Sequence, residues 1–204
     1  MNERTEPTPT SPDEAAGPGP DAPRPALPAG TASLAEAVHE IERHVAGGGW
    51  DGPVRVFALV ATGRALDTEP GLEAQLAPEV VARARRDPHH LTSVEQEDLP
   101  AAASLEDLLA RLSWPGTVDG AAVVVERVVL PPAAEDAMPA DPDEAVEYLM
   151  AHPDRQDVRI AVGVLRGGDA WCAVRTRAND ADDAVGGGPD LVPGLVHAVG
   201  ATLL

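Results

Sequence analysis

The segment DVRIAVGVLRGGDAWCAVRTR, residues 157–177, contains two β-strand-like runs on either side of a Gly167-Gly168 turn. This pattern predicts an antiparallel hairpin. Because side chains alternate between the two faces of a strand, a one-residue shift in pairing would exchange those faces. A two-residue loop would place Arg175 and Arg177 among the valines, at a cost in desolvation. We therefore predict a three-residue loop at 167–169, with one apolar face formed by Val158, Ile160, Val162, Val164, Cys172, Val174 and Thr176.

The opposite face of this hairpin carries the arginines. In the predicted register Arg159 and Arg177 lie close together across the strands with Arg175 nearby, which is unfavourable unless anions relieve the repulsion. The acidic loop that follows could supply those anions. An acidic partner segment or a small anion held by guanidinium groups is the other interpretation. The predicted binding residues are Arg159, Trp171, Arg175, Arg177, Asp180, Asp182 and Asp183.

Helical and strand-like patterns alternate irregularly along the rest of the chain. Ser33 and Glu36 form a capping box ahead of an amphipathic helix. Residues 121–130 are typical of a central strand, and Asp141 with Pro142 predicts the start of another helix. This order does not fit βαβ repetition. It predicts an α+β fold, a roughly five-stranded, mainly antiparallel sheet with helices packed on one face.

The N-terminal segment differs in composition from the remainder. Residues 1–30 hold eight prolines and almost no large apolar side chain, so burial cannot offset the entropy of ordering them. We expect residues 1–30 to be a disordered, proline-rich acidic tail. Residues 31–204 are long enough for a single α+β domain.

Composition excludes several classes of function. The chain has 34 acidic residues and 15 basic residues, all of them arginine, for a formal net charge of −19. Without lysine, a Schiff-base enzyme and a P-loop are impossible. The negative charge argues against binding to nucleic acid or to anionic membrane surfaces. Cys172 is the single cysteine, which excludes an intrachain disulfide and a multi-cysteine zinc site, and we expect it to be buried.

No motif for a catalytic, metal or cofactor site is present. Residues 179–183 do not follow the EF-hand spacing of calcium ligands. The six histidines form no HExxH pattern, and no serine lies in a GxSxG elbow. We therefore predict no catalytic residue, no metal and no cofactor. With no leader pattern and no apolar segment long enough to cross a bilayer, we expect a cytoplasmic protein without direct membrane insertion.

Several blocks resemble an uncharacterised actinobacterial family of small acidic cytoplasmic proteins with no assigned activity. The blocks are SLAEAVHEIERHVAGGGWDGPVRVFALV (33–60), SVEQEDLP (93–100), VVVERVVLPP (123–132), HPDRQDVRIAVGVLRGGDAWCAVRTR (152–177) and GPDLVPGLVHAVGATL (188–203). The resemblance implies an accessory role at the cell envelope and carries over no catalytic residue.

These observations favour a non-enzymatic protein-binding module, an adaptor or chaperone-like protein. Its partner is expected to be another protein, associated with the envelope, and not a nucleic acid. The alternative is an enzyme or binding protein for a small anionic ligand. That alternative would use Arg159, Arg175 and Arg177 together with the acidic loop at 180–183.

Overall fold

The structure is a computed structural model that describes residues 26–204. Within these residues the chain forms six strands and seven α-helices. The strands are β1 (Arg55–Ala61), β2 (Leu91–Glu95), β3 (Gly120–Val129), β4 (Gln156–Leu165), β5 (Ala170–Thr176) and β6 (Gly186–Gly188). The helices are α1 (Ala29–Ala46), α2 (Thr62–Thr68), α3 (Pro78–Arg86), α4 (Leu105–Ala110), α5 (Pro132–Glu135), α6 (Pro142–Ala151) and α7 (Pro193–Ala201).

The six strands form one antiparallel sheet in the order β2-β1-β3-β4-β5-β6. This confirms the predicted α+β class, and the sheet has one strand more than the five expected. Strand β3 occupies a central position, as residues 121–130 predicted. The additional strand, β6, consists of three glycines, a composition that is unfavourable for strands and gave no β signal.

Helices cover both faces of the sheet, so the predicted packing on one face is wrong. Helix α1 lies on one face, against β4 and β5, whereas α7 lies on the other face together with α4. The cause is visible in β3 and β4, whose apolar side chains point to both faces in nearly continuous runs. Such runs are typical of strands that are buried on both sides.

Small residues allow α1 to approach the sheet closely. Beneath the helix lie Ala161, Gly163 and Ala173, in contact with a cluster that includes Leu34 and Val38 of α1. A Cβ atom at Gly163 would lie only 2.5 Å from Cγ2 of Val38. The face that carries the arginines is therefore an internal face of the protein and not an exposed one.

The hairpin of β4 and β5 has the predicted faces but a different register. Its loop is 166–168, with Gly168 at a φ of +93°, one residue earlier than predicted. Arg159 consequently pairs with Arg175 and not with Arg177. The partner of each residue on β4 thus lies two residues earlier on β5 than predicted. Because side chains alternate along a strand, a change of two leaves each side chain on its predicted face. Cys172 is fully buried in the apolar cluster below α7, as predicted.

The start of α1 corrects the capping-box prediction. The helix begins at Ala29, so Ser33 lies inside it and its hydroxyl donates a hydrogen bond to Asp87. Of the tail predicted over residues 1–30, residues 1–25 lie outside the described residues, and the last two belong to α1. The predicted cap at Asp141 is confirmed, since its carboxylate accepts hydrogen bonds from the backbone of Asp143 and Glu144.

Close packing at Gly163 generates a test of this fold. The variant Gly163→Val should lower the free energy of unfolding by about 1–3 kcal/mol, because the added atoms must displace α1 from the sheet. Urea denaturation provides the measurement. The matched control is Gly167→Ala in the hairpin loop, where an added Cβ meets no atom within 4 Å. Equal stability of the two variants would contradict the packing described for α1.

Candidate functional site

Two arginines lie side by side beneath α1 and form the centre of a buried ionic cluster. Arg159 of β4 and Arg175 of β5 are directly opposed in the hairpin, and their relative exposures are 0% and 2%. Burying two positive charges on paired residues of neighbouring strands is unfavourable unless carboxylates neutralise them. The structure supplies those carboxylates from three separate parts of the chain.

Glu42 of α1 lies within ion-pair distance of both arginines. Its own relative exposure is 1%, and it accepts two hydrogen bonds from Arg175, at 2.7 Å from Nε and 2.8 Å from Nη2. This bidentate geometry is the strongest that an arginine and a carboxylate can form. The same hydrogen bonds are the largest cause of the raised pKa of Arg175, and the hydrogen bond to Asp182 contributes in the same direction. Glu42 Oε1 also lies 3.8 Å from Nη1 of Arg159, near enough for an ion pair but too far for a hydrogen bond.

Arg159 is held mainly by Glu126 of β3, the strand that flanks β4 on the side away from β5. Glu126 Oε1 accepts hydrogen bonds from Arg159 Nε at 3.2 Å and from Nη2 at 2.8 Å. Nη2 donates a second hydrogen bond to the carbonyl oxygen of Gly49. Within residues 26–204, Nη1 of Arg159 has no hydrogen-bond partner although it is buried. Arg159 also lines a cavity of about 120 Å³, together with Glu126 and with Gly48, Gly49, Gly52 and Pro53 of the preceding loop.

The loop at residues 47–53 covers the cluster. The guanidinium carbon of Arg159 lies 4.3 Å from the centre of the Trp50 ring, and that of Arg177 lies 4.9 Å from it, which are both cation–π distances. Asp51 adopts a φ of +68°, donates its backbone N–H to Glu126 at 2.7 Å and pairs with Arg177 through its carboxylate. Three side chains, Arg159, Arg177 and Glu126, therefore hold this segment in place.

The acidic loop after β5 completes the neutralisation. Asp180 lies 3.3 Å from Nη1 of Arg175, and Asp182 lies 2.7 Å from Nη2. Asp180 also accepts a hydrogen bond of 2.8 Å from Nε1 of Trp50, which is the largest cause of its lowered pKa. Asp180 and Asp182 therefore neutralise Arg175, whereas Arg159 is neutralised by Glu126 and Glu42, and Arg177 pairs with Asp51. Asp183 is exposed, and no ion pair among the described residues includes it.

Trp171, the remaining predicted residue, lies outside the cluster. It is half-buried on the α1 face, opposite Gly163 in the register, with its ring centre 6.5 Å from that of His39. Burial is the main cause of the lowered pKa of His39. The indole N–H of Trp171 is buried and finds no acceptor in the described part of the chain.

The structure thus brings Arg159, Arg175, Arg177, Asp180 and Asp182 together, but beneath a helix. Sequence reasoning missed four members of the cluster, which are Glu42, Trp50, Asp51 and Glu126. Glu42 carried a usable signal, because it falls on the apolar stripe of α1, four residues after Val38 and three before Val45. A carboxylate on a buried stripe requires a cationic partner.

The arrangement neutralises charge and offers little to a substrate. The carboxylates already occupy the guanidinium groups, apart from Nη1 of Arg159. No group of three or more His, Cys, Asp or Glu side chains in residues 26–204 is arranged to hold a metal ion. None of the helices in that range combines the length and apolarity needed to cross a membrane.

Fold and cluster together define a protein with a two-sided α+β sandwich and an ionic centre between α1 and the sheet. The chain belongs to the PPA1309-like protein family, whose family model matches residues 34–204. This supports the predicted family membership, whereas the actinobacterial origin stays a prediction. No curated protein and no solved structure matches the chain.

The cluster yields a stability prediction. The variant Glu42→Gln should lower the free energy of unfolding by about 3–5 kcal/mol, because it leaves two buried arginines without full compensation. The control is Glu40→Gln on the exposed side of the same helix, where the ion pair with Arg83 spans 3.5 Å and the loss should stay below about 1 kcal/mol. Urea denaturation of both variants is the measurement, and similar losses would show that Glu42 does not neutralise the cluster.

Proposed function

We propose that the protein is a non-enzymatic protein-binding module that recognises its partner through the segment between β3 and β4. The ladder of these two strands ends at the pair Val129 and Gln156, and residues 130–155 extend from that end of the sheet. We call residues 131–155 the β3–β4 arm. The arm contains α5 and α6, and only one of its residues, Ala134, is buried.

One observation carries this proposal: α6 has ten residues, none of which is buried in the described structure. Val146 is 59% exposed and Met150 is 52% exposed, while Tyr148 and Leu149 are half-buried. No other described strand or helix packs extensively against α6. A short helix is marginally stable in water by itself and usually depends on tertiary packing. An amphipathic helix without such packing is typical of a surface that a partner covers.

The surface predicted from the sequence is a poorer candidate for a protein partner. Arg159 and Arg175 are covered by α1, so a partner could reach them only if that helix moved. Their hydrogen bonds to Glu42 and Glu126 also occupy the groups that would recognise an acidic segment. We therefore assign partner recognition to the arm and charge compensation to the arginine cluster.

Site-specific photocross-linking in the native host tests the proposed function. A photoreactive phenylalanine analogue at Val146 should give cross-links to a discrete protein, because the side chain points to solvent in the unbound state. The matched control position is Ala82, exposed on α3, which lies between β1 and β2 at the opposite end of the sheet. Absence of a cross-linked protein at Val146, or the same products at both positions, would overturn the proposed function.

A second candidate function, binding of a small anion, is favoured by Nη1 of Arg159. This atom lacks a partner among residues 26–204, and Arg159 borders the 120 Å³ cavity. That volume is sufficient for a small anion such as acetate. The surrounding carboxylates oppose an anion, so we rank this function second.

Calorimetric titration decides this second candidate. A ligand site at Arg159 requires saturable heat with sodium acetate that is absent with sodium chloride at the same ionic strength. We expect no saturable heat, because Glu42 and Glu126 already compensate the guanidinium charge. Saturable binding of acetate would restore the small-ligand interpretation and contradict this ranking.

A further inference from the structure

Building on the proposed function, we infer that the β3–β4 arm docks a basic amphipathic helix of a partner protein. The arm combines an exposed apolar row on α6 with carboxylates that form no ion pair among the described residues. The first feature indicates the shape of the partner, and the second indicates its charge.

The apolar row runs along α6 in steps of four residues. Pro142, Val146 and Met150 are all exposed and lie on one side of the helix. Rows of residues four apart form the ridges that fit into the grooves of a second helix. A strand is a poorer fit, since strands add to a sheet through free backbone groups, whereas those of α6 are used within the helix. The geometry therefore favours a helical partner.

Acidic side chains surround this row. Asp143 and Glu147 are spaced four apart beside it, and Glu144 lies on the first turn. The whole arm has seven acidic residues and one arginine. That arginine, Arg155, donates a hydrogen bond to the backbone carbonyl of Met150 and forms no ion pair with the arm's carboxylates. The arm is thus strongly negative.

Ion pairs do occur in the rest of the fold, although some carboxylates there, such as Glu97, Asp98 and Asp183, also form none among the described residues. Arginines pair with acidic residues on α1, on strands β2 and β3 and in the loop after β5. None of the ion pairs found in residues 26–204 includes a carboxylate of the arm. Complementary charge steers association and suppresses wrong partners. A partner that presents Lys or Arg beside an apolar stripe complements both features of α6.

Other occupants of this surface fit less well. In a symmetric pair of copies, two α6 helices would bring Asp143, Glu144 and Glu147 of each copy together, which repulsion opposes. Residues 1–25 contain one large apolar residue, Met1, so they cannot supply a complementary row. An anionic membrane would repel the arm as well. A basic amphipathic helix remains the occupant that charge and shape support.

Defined peptides test the inference by fluorescence anisotropy. The probe is a helical peptide of about 18 residues, with leucines spaced three and four apart and lysines elsewhere, a length that supports helix formation. Two control peptides share its length: one replaces lysine with glutamate, and one scrambles the order so that no apolar stripe forms. We expect binding of the leucine–lysine helix, weakening as salt rises from about 50 to about 500 mM.

Two pairs of variants separate the contribution of the apolar row on α6 from that of its acidic side chains. Val146→Ser combined with Met150→Ser should weaken binding at least about tenfold, whereas Val94→Ser, at an apolar site exposed to 49% on β2, should leave it unchanged. Glu144→Gln combined with Glu147→Gln should reduce both affinity and its salt dependence. Its control, Glu97→Gln with Asp98→Asn, removes the same charge outside the arm. Circular dichroism checks that each variant is folded.

Several outcomes would overturn the inference. The first is equal binding of the glutamate peptide or of the scrambled peptide. The second is unchanged binding by the protein that carries Val146→Ser and Met150→Ser. The third is a dimer of the protein that these two substitutions dissociate. Cross-links at Val146 to a segment that is neither basic nor helical would overturn the partner class and keep the proposed function. Absence of those cross-links would remove the proposed function itself.

Discussion

The pairing of Glu42 with Arg175 is the interaction on which the arrangement of α1 and the sheet depends. A buried ion pair adds little net stability, because desolvation offsets most of the attraction, but the loss of one partner is costly. Glu42 therefore acts chiefly by excluding alternatives. If α1 turned or slid by a few ångströms, Arg159 and Arg175 would lose their deepest carboxylate. The cluster fixes the position of α1, while apolar packing supplies most of the stability.

The same cluster joins segments that are far apart in the chain. Glu126 connects Arg159 to the backbone of Asp51, and Asp180 connects Arg175 to the indole of Trp50. The loop at residues 47–53 and the loop after β5 are consequently held against one centre. Opening either loop would deprive the buried guanidinium group of Arg159 or of Arg175 of some of its partners. We interpret the cluster as the structural centre of the fold for this reason.

The hairpin shows how far sequence alone could predict this structure. Strand periodicity determined which residues share a face, so Cys172 and the arginines were placed on the correct sides. The turn allowed two three-residue loops of the same parity, and local pattern does not distinguish them. Packing on one face was a wrong prediction because the small residues Ala161 and Ala173 were not recognised as a helix-packing surface. Trp50 could not be found, since its contacts join segments that the sequence separates by more than a hundred residues.

Charge is distributed unevenly between the interior and the arm, and this contrast locates the interaction surface. With 34 acidic residues and 15 arginines, the chain cannot neutralise every carboxylate. The arginines of β4 and β5 are buried beneath α1, where the loss of an ion pair would destabilise the fold most. The carboxylates of the arm are left to solvent, beside apolar side chains that no other described helix covers. An acidic, apolar helix at the end of the sheet can gain both hydrophobic burial and charge compensation from a basic partner, whereas the arginine cluster has already obtained both from its own chain.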